Sequence, residues 1–151
     1  MKLFFFLLFC SGLLSASAQS TNPLYDSTLA RKLNADDYGM KMYVLVLLKT
    51  GDNKSTDKAY KDSCFAGHMK NMGWLVELNK LTVAGPIGKN DNDLRGIFIL
   101  NVPTIEEAKP LLDTDPAIKA RFLSAELYPW YGSAALSEYL PAVDKVRKKN
   151  F

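Results

Sequence analysis

The stretch between Thr82 and Pro116 constrains the fold of this 151-residue chain more than any other part. It contains a turn at Gly85-Pro86, an apolar run at residues 96–100 and a proline directly after Asp115. A short apolar run bounded by turn residues predicts a strand, and Asp before Pro is typical of a helix start. The stretch therefore predicts a compact α+β domain.

The remaining patterns complete an alternating order of strands and helices. We predict strands over residues 42–49, 81–84, 95–102 and 122–131, and helices over residues 58–79 and 104–112, with a further helical turn after Asp115. Asp57 and Thr104 are the N-cap candidates, and Thr104 opens a capping box with Glu107. The order β-α-β-β-α-β is the split βαβ arrangement of ferredoxin-like folds.

Both ends of the chain extend beyond this domain. Residues 1–18 read as a cleaved signal peptide, with basic Lys2, an apolar run at 3–14 that is too short to span a bilayer, and a small-residue site ending at Ala18. We therefore expect a secreted or periplasmic protein with no membrane span after cleavage. Residues 19–40 are a lead segment, 41–133 the α+β domain, and 134–151 a C-terminal helical extension interrupted by Pro141.

Composition argues against several classes of function. The formal net charge is +3 for the full chain and +2 after loss of Lys2 with the signal peptide, which gives no basis for nucleic-acid binding. Cleavage leaves Cys64 as the single cysteine, which we expect to be a buried thiol, although an intermolecular disulfide or a reactive thiol are alternatives. Cys64 and His68 are four residues apart, yet no further Cys or His completes a zinc set. We expect no metal and no cofactor.

The helix predicted from residue 58 carries an apolar stripe of Phe65, Met69, Met72 and Val76 at helical spacing. This stripe predicts the face that packs on the sheet. His68 then lies on the flank of the stripe, where the helix meets the sheet edge.

Two predicted helices cover only one face of a four-stranded sheet. Residues 43–48 and 97–100 are nevertheless apolar on both faces, so the second face needs a cover. A symmetric partner sheet is the simplest cover and predicts a homodimer. The end extensions are the alternative.

His68, the only histidine, and Asp115 form the one candidate proton-transfer pair. Histidine moves protons near neutral pH when another group orients its ring. A structural histidine and a carboxylate that only caps a helix are the plainer interpretations. Both roles of Asp115 are compatible, because a capping carboxylate can also accept a hydrogen bond from an imidazole.

Four further residues are candidate substrate ligands. Arg95 follows a polar loop at the start of a strand and suits an acidic group, although an ordinary edge charge is the alternative. Glu126 and Trp130 share one face of the last strand, and Tyr131 ends it. A carboxylate among aromatic side chains suits a pocket wall or a dimer interface.

Several of these segments, in this order, resemble the YCII-related (YciI-like) family. They are His68 on the first domain helix, Leu81-Thr82-Val83-Ala84-Gly85-Pro86, Arg95-Gly96-Ile97-Phe98, Glu106-Glu107-Ala108, Asp115-Pro116-Ala117 and the ending Glu126-Leu127-Tyr128-Pro129-Trp130-Tyr131-Gly132. The resemblance implies a ferredoxin-like dimeric α/β barrel with a site at His68 and Asp115. It also implies lyase or dehydrochlorinase-like chemistry on ring compounds, with the histidine as base. The export signal and the lead segment depart from the family pattern.

Two functions are therefore open. The first is an exported enzyme that removes a proton or eliminates a group from a small molecule through His68 and Asp115, with Arg95, Glu126, Trp130 and Tyr131 shaping the pocket. The second is a non-catalytic ligand-binding or interaction domain in which His68 and Asp115 are structural.

Overall fold

The computed structural model describes residues 22–149 as four strands, five α-helices and one 3-10 helix. In chain order these are α1 (Ser27–Leu33), β1 (Met40–Thr50), α2 (Lys58–Glu77), β2 (Leu81–Pro86), β3 (Leu94–Leu100), α3 (Ile105–Leu112), α4 (Pro116–Lys119), β4 (Leu123–Ser133), the 3-10 helix Ala134–Tyr139 and α5 (Leu140–Val146). The expected signal peptide lies outside the described residues. Within 22–149, no helix has the length and apolar character needed to cross a bilayer.

The four strands form one antiparallel sheet in the order β2-β3-β1-β4. β1 lies in the middle and pairs with β4 along its whole length, from Met40 opposite Ser133 to Thr50 opposite Leu123. β2 and β3 are neighbours, while the α2 connection carries the chain past β3 to reach β2. Combined with the β-α-β-β-α-β order, this topology is ferredoxin-like, and the predicted α+β fold class is confirmed.

Side-chain caps set the starts of the three domain helices. Asp57 accepts a hydrogen bond from the Tyr60 backbone N–H at 3.0 Å, and the Thr104 hydroxyl accepts one from Glu107 N–H at 3.2 Å. Asp115 caps α4 in the same way. Each cap satisfies backbone N–H groups that the first helical turn leaves without a partner. The three helix starts predicted from the sequence are confirmed.

The face that α2 turns towards the sheet differs from the predicted one. Met69 and Val76 are 42% and 41% exposed, whereas Cys64, His68 and Leu75 are buried. The predicted stripe was therefore right for Phe65 and Met72, which pack partly buried against the core, and wrong for Met69 and Val76. The helix is rotated towards His68 because this polar side chain meets a buried partner on another segment, which an apolar pattern along one helix does not reveal.

The second face of the sheet is covered in part by the end of the chain. Tyr43, on this face of β1, is fully buried, and its hydroxyl donates to the Ser133 carbonyl at 2.9 Å. The Tyr139 hydroxyl donates to the Thr82 carbonyl on β2, so the 3-10 helix is tied to the sheet edge. Cover by an end extension was the alternative to a partner sheet. The homodimer stays a prediction.

The C-terminal extension contains helix, but Pro141 does not interrupt it. The 3-10 helix ends at Tyr139 and α5 begins at Leu140, so Pro141 occupies the first turn of α5. Proline is favoured there because the first-turn N–H groups have no intrahelical acceptor. The predicted interruption is therefore a helix start.

Candidate functional site

His68 and Asp115 meet although 47 residues separate them. His68 lies in the middle of α2 and Asp115 at the N-cap of α4. The Nδ1 atom of His68 is 2.6 Å from Oδ2 of Asp115. This distance is that of a short, charge-assisted hydrogen bond. The folded chain thus makes the contact that the sequence suggested, while the role of the pair in catalysis stays a proposal.

Asp115 uses both of its carboxylate oxygens. Oδ1 accepts hydrogen bonds from Ala117 N–H at 2.9 Å and Ile118 N–H at 3.3 Å, while Oδ2 faces His68. The residue is only 1% exposed. A buried carboxylate needs such partners because an unpaired one is costly to remove from water. Helix capping and histidine orientation are therefore performed by the same side chain.

The bond to Asp115 determines which imidazole nitrogen remains available. An ionised carboxylate only accepts hydrogen bonds, so the hydrogen in this contact belongs to Nδ1 of His68. In the neutral ring Nε2 then carries the lone pair. Within residues 22–149 Nε2 has no hydrogen-bond partner, and part of its surface is accessible to solvent. His68 as a whole is 9% exposed.

Aromatic side chains hold the imidazole ring on the sheet. Phe98 of β3 stacks on His68 at 5.8 Å between centroids and 20° between planes, and Phe65 approaches it edge-on at 6.2 Å. Phe65 also lies 6.2 Å from Phe122. Phe98 was not among the site residues predicted from the sequence. The signal for Phe98 was its place in the centre of an apolar strand, which by itself indicates only core packing.

Cys64, one turn before His68, is a buried free thiol, as expected. It lies beside the Tyr60 hydroxyl and raises the pKa of that phenol. Since Nδ1 of His68 already bonds to Asp115, that nitrogen is not free to bind a metal together with Cys64. The described part of the chain contains no cluster of three Cys, His, Asp or Glu side chains arranged to hold a metal.

The four candidate substrate ligands lie away from the pair in a single protomer. Arg95 is exposed at the start of β3, at the point where the pairing of β3 with β1 is irregular. Glu126 and Trp130 lie on the face of the sheet that the domain helices do not cover, paired with Leu47 and Tyr43 of β1. Trp130 packs on the Tyr43 ring at 5.6 Å.

The Tyr131 side chain is at the far end of β4, where its hydroxyl donates to Asp36 Oδ2 at 2.5 Å. This bond raises the pKa of Tyr131 and lowers that of Asp36. It ties the lead segment to the domain. Substrate binding by these four residues stays a prediction. Within one protomer, their side chains do not lie beside His68.

Two surface clefts flank the sheet without reaching the pair. One lies beside the Asp52–Arg121 ion pair at the start of β4. The other lies between the lead segment and the end of α2, and Tyr131 lines it together with Asp36. Neither cleft is lined by His68 or Asp115. The pair is therefore a mostly buried site with one accessible ring edge.

The fold and the pair define an α+β protein of the ferredoxin-like class that carries a buried His–Asp contact. No protein-family profile matches the sequence, and no curated protein matches it either. Among solved structures, the chain is similar to 5-chloro-2-hydroxyhydroquinone dehydrochlorinase from Burkholderia phenoliruptrix AC1100, in complex with 2,5-dihydroxybenzoquinone. The two are 24% identical with a TM-score of 0.39, over 57% of this chain and 92% of the other. The fold class rests on the strand order of this chain itself, and no activity is transferred from this likeness.

Proposed function

We propose that this chain is an exported, YCII-like enzyme that uses His68 and Asp115 for general acid/base chemistry on a small molecule. The observation that carries the proposal is the 2.6 Å contact between His68 Nδ1 and Asp115 Oδ2. A carboxylate that engages one ring nitrogen leaves the other to accept and return a proton. The expectation of a ring-containing substrate comes from the YCII resemblance of the sequence.

In this mechanism Nε2 of His68 is the base. It forms a new N–H bond with a proton taken from a C–H or O–H group of the substrate. In an elimination, the electrons of the broken C–H bond form a double bond, and the leaving group departs with its own bonding pair. The resulting imidazolium is stabilised by Asp115, whose own charge remains held by the Ala117 and Ile118 N–H groups.

Secretion to the periplasm or beyond, and assembly as a homodimer, belong to the same proposal. A partner sheet would cover the face that carries Glu126 and Trp130, and it would place these side chains at a junction between subunits. Substrate contacts by Glu126 and Trp130 are proposed at this junction, and contacts by Arg95 and by Tyr131, which lines the cleft beside the lead segment, are proposed for the same substrate.

The test measures the exchange of substrate C–H protons with solvent. This exchange can be detected even when the complete reaction is not known. A panel of small hydroxylated and halogenated ring compounds is incubated with the protein in D2O, and proton NMR follows the loss of C–H signals. We expect exchange or release of a leaving group with the natural chain. Replacing His68 by alanine should slow it by about 10²–10⁴-fold, the usual contribution of a general base.

The control for this test is Asp52→Asn, which changes an exposed carboxylate paired with Arg121 at a distance from the pair. It should leave exchange unchanged. Undiminished exchange in a folded His68→Ala variant would contradict the enzymatic proposal.

Burial of the pair favours a second candidate, a non-catalytic ligand-binding or interaction domain. Asp115 is 1% exposed, and the two described clefts lie elsewhere. Within one protomer, the 9% exposure of His68 leaves a substrate only a small opening to Nε2. On this second account His68→Gln lowers stability only, and no compound of the panel exchanges protons or turns over.

A further inference from the structure

Three contacts join α2 to the turn that begins α4. The two segments are antiparallel there, so later residues of α2 contact earlier residues of the turn. The pairs are Gly67–Pro116, His68–Asp115 and Asn71–Thr114. The last pair is a 2.9 Å contact between the Thr114 hydroxyl and the Asn71 side-chain amide, and the same hydroxyl donates to the Leu111 carbonyl at 2.6 Å. The His–Asp bond is therefore flanked by one apolar and one polar contact, which set the approach of the two segments.

The apolar contact depends on the absence of a side chain at Gly67. A Cβ atom built at this position would lie 2.7 Å from Cγ and 3.2 Å from Cβ of Pro116. Carbon atoms pack at about 3.5–4.0 Å. The proline ring is stiff and is held in the first turn of α4, so it cannot rotate away as a long flexible side chain would.

Helix propensity does not account for this glycine. Gly67 lies in the interior of the 20-residue helix α2, where glycine is less favourable than alanine. The same helix contains Gly73, at which an added Cβ would meet nothing within 4 Å. The two glycines thus differ in what surrounds them, and only Gly67 has a packing reason to lack a side chain.

A side chain at position 67 would push Pro116 away from α2 by a distance that matters for the His68–Asp115 hydrogen bond. Relieving a contact from 2.7 Å to an ordinary carbon–carbon distance requires a shift of about 1 Å. Asp115 directly precedes Pro116 and moves with it. A 2.6 Å hydrogen bond that is lengthened by about 1 Å is no longer a hydrogen bond.

We propose that Gly67 is a positioning residue for the site: its missing side chain lets Pro116 approach α2 and thereby brings Asp115 into hydrogen-bond contact with His68. Gly67 touches neither the substrate nor the ring nitrogens in this proposal. Its importance for turnover rests on the proposed function, whereas its effect on the His–Asp bond does not.

The test uses nitrogen-15 and proton NMR of the imidazole, since the only histidine of the chain gives one unambiguous set of signals. The signature is a hydrogen-bonded Nδ1–H that is protected from exchange with water. Four variants are compared with the natural chain. They are Gly67→Ala, Pro116→Ala, the double variant Gly67→Ala with Pro116→Ala, and the control Gly73→Ala.

We expect Gly67→Ala to lose the protected Nδ1–H signal and the double variant to regain it. Alanine at position 116 removes the 2.7 Å contact with Cγ and leaves only the 3.2 Å contact with Cβ, which a shift of a few tenths of an ångström relieves. The natural signal should persist in Pro116→Ala and in Gly73→Ala. An unchanged signal in Gly67→Ala, or its absence from a folded double variant, overturns the proposal. If Gly67→Ala does not fold, the double variant decides alone: recovery of fold and signal supports the proposal, and failure of either overturns it.

The outcome separates this proposal from the enzymatic one. If the pair is catalytic, proton exchange in the D2O assay falls in Gly67→Ala and recovers in the double variant, in parallel with the NMR signal. If the pair is only structural, the NMR signal follows the same pattern while no variant shows exchange.

Discussion

The two faces of the sheet hold charged side chains in different ways. On the helix-covered face, Asp115 is buried and each oxygen has a defined partner, with His68 on one side and backbone N–H groups on the other. On the opposite face, Lys49 and Glu126 form a 3.0 Å ion pair whose side chains are 34% and 45% exposed. Water competes with the second pair and hardly with the first. A hydrogen-bonded pair of charged groups therefore contributes more to stability on the helix-covered face than on the opposite face.

The largest expected effect follows from removing the buried carboxylate. Asp115→Ala takes away the cap of α4 and the partner of His68 together. A lost cap costs about 1 kcal/mol, and a lost hydrogen bond to a charged group about 1.5–3 kcal/mol. We expect the free energy of unfolding, measured by urea denaturation, to fall by about 2.5–4 kcal/mol.

A matched control separates the two contributions. Asp57→Ala removes an exposed N-cap aspartate from α2 that has no histidine partner, and it should cost about 1 kcal/mol. The difference between the two variants measures the contact with His68. Equal losses in the two variants would show that Asp115 is only a cap.

On the opposite face, the largest single effect should come from a neutral hydrogen bond. Tyr43→Phe removes the hydroxyl that donates to the Ser133 carbonyl under the cover of the C-terminal segment. We expect a loss of about 1 kcal/mol in the free energy of unfolding. Replacing Tyr139 by phenylalanine, which removes the bond to Thr82, is the companion variant at the sheet edge. No loss in either variant would mean that the C-terminal segment does not rest on this face in solution.

The smallest effect concerns acid stability at the lead segment. The Tyr131 hydroxyl holds the pKa of Asp36 below its usual value of 3.8, helped by backbone N–H groups. A carboxyl with a lowered folded-state pKa stabilises the protein above its unfolded-state value and loses this effect as pH falls through the folded-state value. Asp36→Asn should therefore flatten the decline of Tm between about pH 5 and about pH 2. The exposed Glu106→Gln, whose carboxylate is not in this contact, serves as control, and an equal change in both would contradict the account.

Much of this fold follows from local chemistry that the sequence displays. Asp57, Thr104 and Asp115 each stand at a helix start because the cap is decided within three or four residues of chain. The strands follow from apolar runs between turn residues. The capping role of Asp115 was predictable for the same reason.

The buried face of α2 was not predictable in this way. The apolar pattern assigned Met69 to the core, yet the partner of His68 lies 47 residues away and gives no local signal. Gly67 was also missed, because the proline that makes a side chain impossible there belongs to another segment. Substrate binding by Arg95 and Trp130 stays a prediction, and within one protomer the alternation along β4 places Trp130 on the face of the sheet away from His68.

The most direct test of the account is the tautomer of His68 in the natural protein, observed by nitrogen-15 NMR at a pH where the ring is neutral. We expect hydrogen on Nδ1, bonded to Asp115, and an unprotonated Nε2 that responds to added ligands. The opposite tautomer, with hydrogen on Nε2 and none on Nδ1, would contradict the account. It would mean that Asp115 does not orient the ring and that Nε2 is not free to act as the base.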